Sequence, residues 1–89
     1  MDSYKVVWKR SAQKELRKLP KEAIARIIGL VETLSENPSP PGVKKLAGTE
    51  NTFRLRAGDC RVVYNLLQGV LVVEVIRVGH RKEIYRRLS

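Results

Sequence analysis

Cysteine is almost missing from this chain, and histidine equally so: each occurs once, as Cys60 and His80. A lone cysteine excludes an internal disulfide, and no Cys/His cluster has the ligand count of a structural zinc site. Long apolar runs are also absent. Nothing approaches the ~20 residues of a membrane-spanning helix, and the charged N-terminus lacks the apolar core of a signal peptide. No helix is basic and amphipathic enough to lie on anionic lipid. The expectation is a protein of the reducing cytoplasm, neither secreted nor membrane-bound, with no metal and no cofactor.

Acidic residues are scarce as well. Nine Asp and Glu face eighteen Lys and Arg, giving a net charge of +9. From Lys44 onward ten bases meet four acids, so the second half carries +6 of that charge. Such a balance points to a polyanionic partner, nucleic acid or an acidic protein, with a merely solvated surface as the plain alternative. With 89 residues and 43% hydrophobic content the chain is expected to form one domain over positions 1–89. A domain this small buries only roughly 60% of its unfolded surface, so a bound partner can supply part of its stability.

Periodicity predicts an α+β fold of order β-α-α-β-β-β. Tyr4 to Trp8 reads as a strand of β-branched and aromatic residues. Ser11 is placed to cap a helix whose Ala12, Leu16 and Leu19 share a face, with Glu15 in its first turns near the positive end of the dipole. Pro20 ends that helix or opens the next. From Lys21 to Glu36, Ala23, Ile24, Ile27, Ile28, Val31 and Leu34 recur at helical period. Asn37 and Pro38 stop it, and the proline-rich stretch to Gly42 forms an extended connector. Three strands follow near residues 51–57, 60–67 and 70–78, turning at Gly58-Asp59 and Gln68-Gly69. The last is almost continuously apolar, which predicts cover on both faces. Two N-terminal helices packed on a small, mainly antiparallel sheet, with a short helical tail near Lys82 to Leu88, complete the expected architecture.

The basic residues are patterned. Strand alternation puts Thr52, Arg54 and Arg56 on one face, and a turn from Ala57 to Cys60 sets Arg56 opposite Arg61. A one-residue slip would reverse every assignment. Guanidinium forks fit phosphate oxygens and stay charged at any working pH. Cleavage of RNA by its own 2′-hydroxyl needs a base, cations for the added negative charge, and an acid for the departing 5′-oxygen; it demands no metal. Imidazole is the side-chain type whose unperturbed titration falls near neutrality, which makes His80 the first candidate for proton transfer, against a surface or structural role. Tyr85 can stack on a base, orient the hydroxyl or share in proton transfer, or simply pack the tail on the sheet. Lys44 and Lys45 are either a solvated pair or contacts to an RNA backbone. Tyr4 and Tyr64 read as core or boundary aromatics, Trp8 as the large core filler, Asp59 as a turn residue and Cys60 as inert.

Taken in order, Arg17-Lys18-Leu19, Lys44-Lys45-Leu46, Phe53-Arg54-Leu55-Arg56, Arg61-Val62-Val63-Tyr64 and Val78-Gly79-His80-Arg81 ending in Ile84-Tyr85 resemble a RelE-like toxin of the RelE/ParE superfamily over nearly the whole length. The resemblance implies a toxin of a type II toxin-antitoxin system, a metal-independent endoribonuclease that enters the A site of the 70S ribosome, cuts messenger RNA there and inhibits translation. It also implies a cognate antitoxin, acidic or amphipathic, that wraps the toxin. Carried onto this sequence, the family's roles give phosphate stabilisation to Arg56 and Arg61, RNA positioning to Arg54, leaving-group assistance to Arg81 and substrate orientation or stacking to Tyr85. Lys44, Lys45 and Lys82 join Arg54 as RNA contacts. Where the best-known family pattern has lysines this chain has Arg54 and Arg56, and arginine does not readily give up a proton. The general base is then His80, Tyr85 or alignment imposed by the ribosome.

Two other readings stay open. A ParE-like inhibitor of DNA gyrase shares the scaffold and acts by binding a protein. A plain RNA-binding module uses the arginines as phosphate anchors without chemistry, with affinity that falls steeply with salt.

Overall fold

The computed structural model describes residues 3–80. The helical tail expected near Lys82 to Leu88, and with it Arg81, Lys82 and Tyr85, lies outside the described residues. The elements are β1 (Lys5–Trp8), α1 (Arg10–Arg17), α2 (Lys21–Glu36), β2 (Lys44–Lys45), β3 (Thr52–Ala57), β4 (Cys60–Leu67), a 3₁₀ turn (Gln68–Val70) and β5 (Val72–His80). They form one five-stranded sheet in the order β1-β5-β4-β3-β2. β1 runs parallel to β5 and all other pairings are antiparallel, so the sheet is mixed.

Both helices pack on one face. Ala12, Leu19, Ala23, Ile27, Val31 and Leu34 from the helical layer meet Leu55, Val62, Tyr64, Leu66, Val73, Val75 and Val78 from the sheet. Tyr64, fully buried, is the largest side chain in this core, whereas Trp8 is only half-buried at its margin. Tyr64 thus takes the core place open to it, while Trp8 is not the large core filler expected, and position explains why. Tyr64 lies mid-strand in β4, flanked by β3 and β5, while Trp8 ends an edge strand. The Tyr64 hydroxyl donates to the Pro38 carbonyl at 2.6 Å, which ties the proline-rich connector to the core. Burial pushes the phenol up to about 12, so it serves there as a neutral donor.

Several local details differ from the expectation. Helix α1 begins at Arg10 behind Lys9 and makes no side-chain cap bond, so Ser11 is not its cap. The chain turns from strand to helix within one residue, with the Lys9 N–H still bonded to the Val75 carbonyl. Glu15 accordingly falls in the second half of a short helix, not in its first turn. Lys44 and Lys45 form a short fifth strand on β3, which sequence alone did not predict. β5 starts at Val72 because Leu71 adopts a left-handed conformation, φ 55°, at the end of the 3₁₀ turn. Only one face of β5 is deeply covered: Val73, Val75 and Val78 are buried while Val72, Glu74 and Ile76 are half-buried.

One irregularity positions the site. Val63 pairs with Arg77 but the next residue, Tyr64, pairs with Val75, leaving Ile76 as an extra residue in β5. Without that bulge, Arg77 would share a face with Val73 and Val75 and point into the core. With it, Val78 takes the inner position opposite Val62, and Arg77 turns to the open face opposite Val63.

Candidate functional site: an arginine-lined sheet face

The face of the sheet away from the helices carries the cations in two cross-strand rows. Arg56, Arg61 and Gly79 form the first; Lys44, Arg54, Val63 and Arg77 form the second. The Ala57–Cys60 turn that fixes this register contains Gly58 at φ 60°. Gly79 leaves the space in which the Arg61 guanidinium lies. A Cβ on Gly79 would sit 3.7 Å from Arg61 Nη2 and 4.0 Å from Nε.

Arg61 is the centre of the cluster electrostatically. Its pKa is lowered from the ordinary arginine value, first by partial burial and then by repulsion from Arg56, Arg54 and Arg77, against a smaller opposing effect of Glu15. A guanidinium keeps its proton at any working pH. The repulsion therefore persists in the free protein, and an anion bound among the arginines relieves it.

Glu15 is the residue that sequence reasoning missed. β1 ends where Trp8 meets Val75, so the edge of β5 beyond that point has no neighbouring strand. Helix α1 lies along it, and Glu15 Oε1 accepts the Val78 N–H at 3.1 Å while Oε2 stands 3.6 Å from Arg77 Nη2. A signal existed: Glu15 sits at i+3 from Ala12 and beside Leu16, within the apolar stripe of α1, where a carboxylate calls for a partner. Arg77 was missed as a site residue because simple alternation hides the bulge.

The structure thus brings Lys44, Arg54, Arg56 and Arg61 together and adds Arg77. It separates two other candidates from them. Lys45 pairs with Phe53 and so belongs to the opposite face from Lys44. His80 pairs with buried Cys60, at the margin of the helix-bearing side. The Cys60 thiol is pushed up chiefly by burial, with Arg26 acting against this and Asp59 with it, so it stays protonated and unreactive at neutral pH. Among the described residues no three His, Cys, Asp or Glu side chains gather to hold a metal ion, and no helix is long and apolar enough to cross a membrane.

On the helix side, Val6, Trp8, Leu16, Ile28 and Val31 line an apolar cleft of about 440 Å³, rimmed by Gln13, Arg17 and Glu32.

Comparison with known proteins agrees with this geometry. A family model described as the ParE toxin of the type II toxin-antitoxin system parDE matches residues 6–85. Toxin RelG of Mycobacterium tuberculosis is 34% identical over 88 residues, covering 94% of this chain and 98% of that protein. The structure superimposes on a chain of the toxin-antitoxin complex RelBE2 from the same organism with a TM-score of 0.81 at 30% identity, covering 89% of this chain and 99% of that one. The archaeal RelE-RelB complex of Pyrococcus horikoshii gives 0.77 at 30% identity, with 89% and 96% covered. Arginine pair, helical layer, mixed sheet and these relatives converge: the chain belongs to the RelE/ParE toxin superfamily, in its RelE-like branch.

Proposed function

We propose that this protein is the toxin of a type II toxin-antitoxin pair and acts as a ribosome-dependent endoribonuclease, cutting messenger RNA in the A site and so stopping translation. The observation that carries the proposal is the convergence of Arg54, Arg56 and Arg77 around Arg61 on one open sheet face. In the reaction the 2′-hydroxyl loses its proton and its oxygen attacks the adjacent phosphorus. The bond to the 5′-oxygen breaks, and that oxygen takes up a proton. Arg56 and Arg61 stabilise the extra negative charge of the phosphorane, which exceeds that of the ground state. Arg54 and Lys44 hold the backbone, with Lys82 as an outer RNA contact; Lys45, on the opposite face, takes no part. Arg81 assists the leaving oxygen. Proton transfer falls to His80 or Tyr85, and the register that sets His80 opposite Cys60 favours Tyr85. Because no arginine serves as base, alignment by the ribosome supplies much of the rate, and free RNA is expected to be a poor substrate.

Purified protein added to programmed ribosomes, followed by mapping of message ends, tests this reading. Cuts within the A-site codon that disappear in Arg61→Ala support it; intact message in the wild type rejects it.

The relatives solved with their antitoxins support an antitoxin partner here too. An acidic or amphipathic segment has two surfaces to cover: the arginine face, by charge complementarity, and the Trp8 cleft, by burying apolar side chains.

The ParE description of the matching family model favours one rival, inhibition of DNA gyrase by binding. Under that reading induction damages DNA and leaves messages whole.

A further inference from the structure

Two guanidiniums that start on different strands meet the same stretch of β5. The Arg61 side chain leans from β4 across Gly79, where a Cβ would stand 3.7 Å from its Nη2. Arg77 precedes Gly79 by two residues on the same face of β5, about 7 Å along the strand. Arg61 and Arg77 are also diagonal cross-strand neighbours, a separation that long side chains span. The two cations therefore stand one behind the other along β5, and Arg77 is among the residues that repel the Arg61 charge. Two positive groups in such a line suit successive phosphates of one extended strand.

Of Lys44, Arg54, Arg56, Arg61 and Arg77, only Arg77 has a carboxylate partner among the described residues, Glu15. Glu74 lies one row further along the open face, where it accepts from Asn65 at 3.1 Å and has Lys5 diagonal to it on β1; it makes no ion pair with Arg77. The two ends of the Glu15–Arg77 pair are held unequally. Glu15 is anchored on α1, and its Oε1 accepts the Val78 N–H at 3.1 Å. Its side chain is 26% exposed, against 62% for that of Arg77. The pair itself spans 3.6 Å, longer than the roughly 2.7–2.9 Å of a charge-assisted bond. An exposed pair of this kind adds little to stability, and the bond to Val78 ties α1 to β5 without it. Arg77 is the member that can change partners, and Glu15 keeps a donor when it does.

Resting on the nuclease reading above, we infer that Arg77 is a further substrate contact, which leaves Glu15 on binding and takes the phosphate next to the one held by Arg61. A phosphate offers both prongs of the guanidinium an oxygen, whereas Glu15 has one oxygen already engaged by a backbone N–H. In the free protein Glu15 offsets one cation of the face. A strand whose scissile phosphate sits on Arg56 and Arg61 is held in register, presents its neighbouring phosphate to Arg77 and displaces the carboxylate. Glu15 is thus a competitor of the substrate for Arg77.

A double-mutant cycle on the full chain tests this. Equilibrium binding of a single-stranded RNA oligonucleotide of mixed sequence, over a salt series, is compared for wild type, Glu15→Gln, Arg77→Ala and the variant carrying both. Glu15→Gln keeps an oxygen for the Val78 N–H and Arg77 is exposed, so melting curves are expected near that of the wild type. Glu15→Gln is expected to tighten binding about two- to threefold at low salt when Arg77 is present, and by less than about 1.5-fold when Arg77→Ala accompanies it. Adding Arg77→Ala to Glu15→Gln removes one phosphate contact and is expected to lower the slope of log affinity against log salt by about 0.7. Adding Arg77→Lys instead, which keeps the charge, is expected to keep the slope. A Glu15→Gln gain that is undiminished by Arg77→Ala overturns the inference, because Glu15 then acts on the face as a whole. A slope that Arg77→Ala leaves unaltered overturns it as well. Cutting of message on programmed ribosomes separates the contact from the reading it rests on. Coupling between Glu15 and Arg77 in binding, with messages left whole by the wild type, keeps the contact and removes the nuclease. Cutting by the wild type with additive effects in binding does the reverse.

Discussion

Replacing Glu15 separates two contributions that the structure superimposes on one side chain. Glu15→Gln retains an oxygen to accept the Val78 N–H, now at 3.1 Å, and loses only the ion pair with Arg77. That pair is 3.6 Å long and its arginine side chain is 62% exposed, so its loss costs about 0.5 kcal/mol or less. Glu15→Ala removes the acceptor altogether. The Val78 N–H lies between a buried strand residue and a packed helix, and leaving it unsatisfied costs about 1–3 kcal/mol. For a domain of this size that difference lowers Tm by roughly 5–15 °C in Glu15→Ala and by a few degrees at most in Glu15→Gln. Thermal and urea unfolding followed by circular dichroism reads both. The charge has a separate consequence: either variant removes the carboxylate that offsets repulsion at Arg61, so both bind single-stranded RNA more tightly at low salt, with a steeper salt dependence. Equal destabilisation by the two substitutions would refute the claim that Glu15 acts as a surrogate strand partner for β5. Unchanged RNA affinity in both would refute its place on the cationic face.

Three further outcomes are expected. Tyr64 has a folded pKa near 12 against about 10 when unfolded, so the stability it contributes is full below pH 10 and is lost as pH rises towards 12, on the order of 2 kcal/mol; urea midpoints across that range should fall in wild type and much less in Tyr64→Phe, which instead loses its bond to Pro38 at all pH values. Gly79→Ala should be tolerated, because the added Cβ meets Arg61 at van der Waals distance, whereas Gly79→Val displaces the guanidinium and should reduce cleavage by about tenfold or more with a melting curve near the wild type's; equal activity in the two variants would remove Arg61 from the reacting phosphate. Gly58→Ala should destabilise by roughly 1–2 kcal/mol, since φ is 60° there, instead of stabilising as glycine replacements do at ordinary backbone positions; the Arg26 guanidinium tip 2.8 Å from the new Cβ can swing aside; a melting point at or above that of the wild type would show that the turn relaxes freely.

Much of the molecule was legible beforehand. The apolar period of Ala23 to Leu34 defines α2 with its observed bounds, and Asn37 ends it. Alternation through Phe53-Arg54-Leu55-Arg56 and the short turn at Gly58 put Arg56 across from Arg61 without a slip, because a shift of one residue would have buried charge. The arginine pair and the basic second half pointed to an anionic partner from composition alone.

Other features depend on contacts between segments far apart in sequence, which periodicity cannot report. Lys44 and Lys45 have no strand propensity of their own and become a strand because β3 offers a free edge. Trp8, expected as the large core filler, lies at the margin because core depth follows position in the sheet and not side-chain size. The extra residue at Ile76 turns Arg77 outward to the site and sets His80 beside Cys60, away from it. Glu15 gains its role only where β1 stops short of the end of β5. Local preference and charge, then, are properties of the sequence itself. Which charges meet was decided by strand order and by one bulge, since both are settled by packing across the whole sheet.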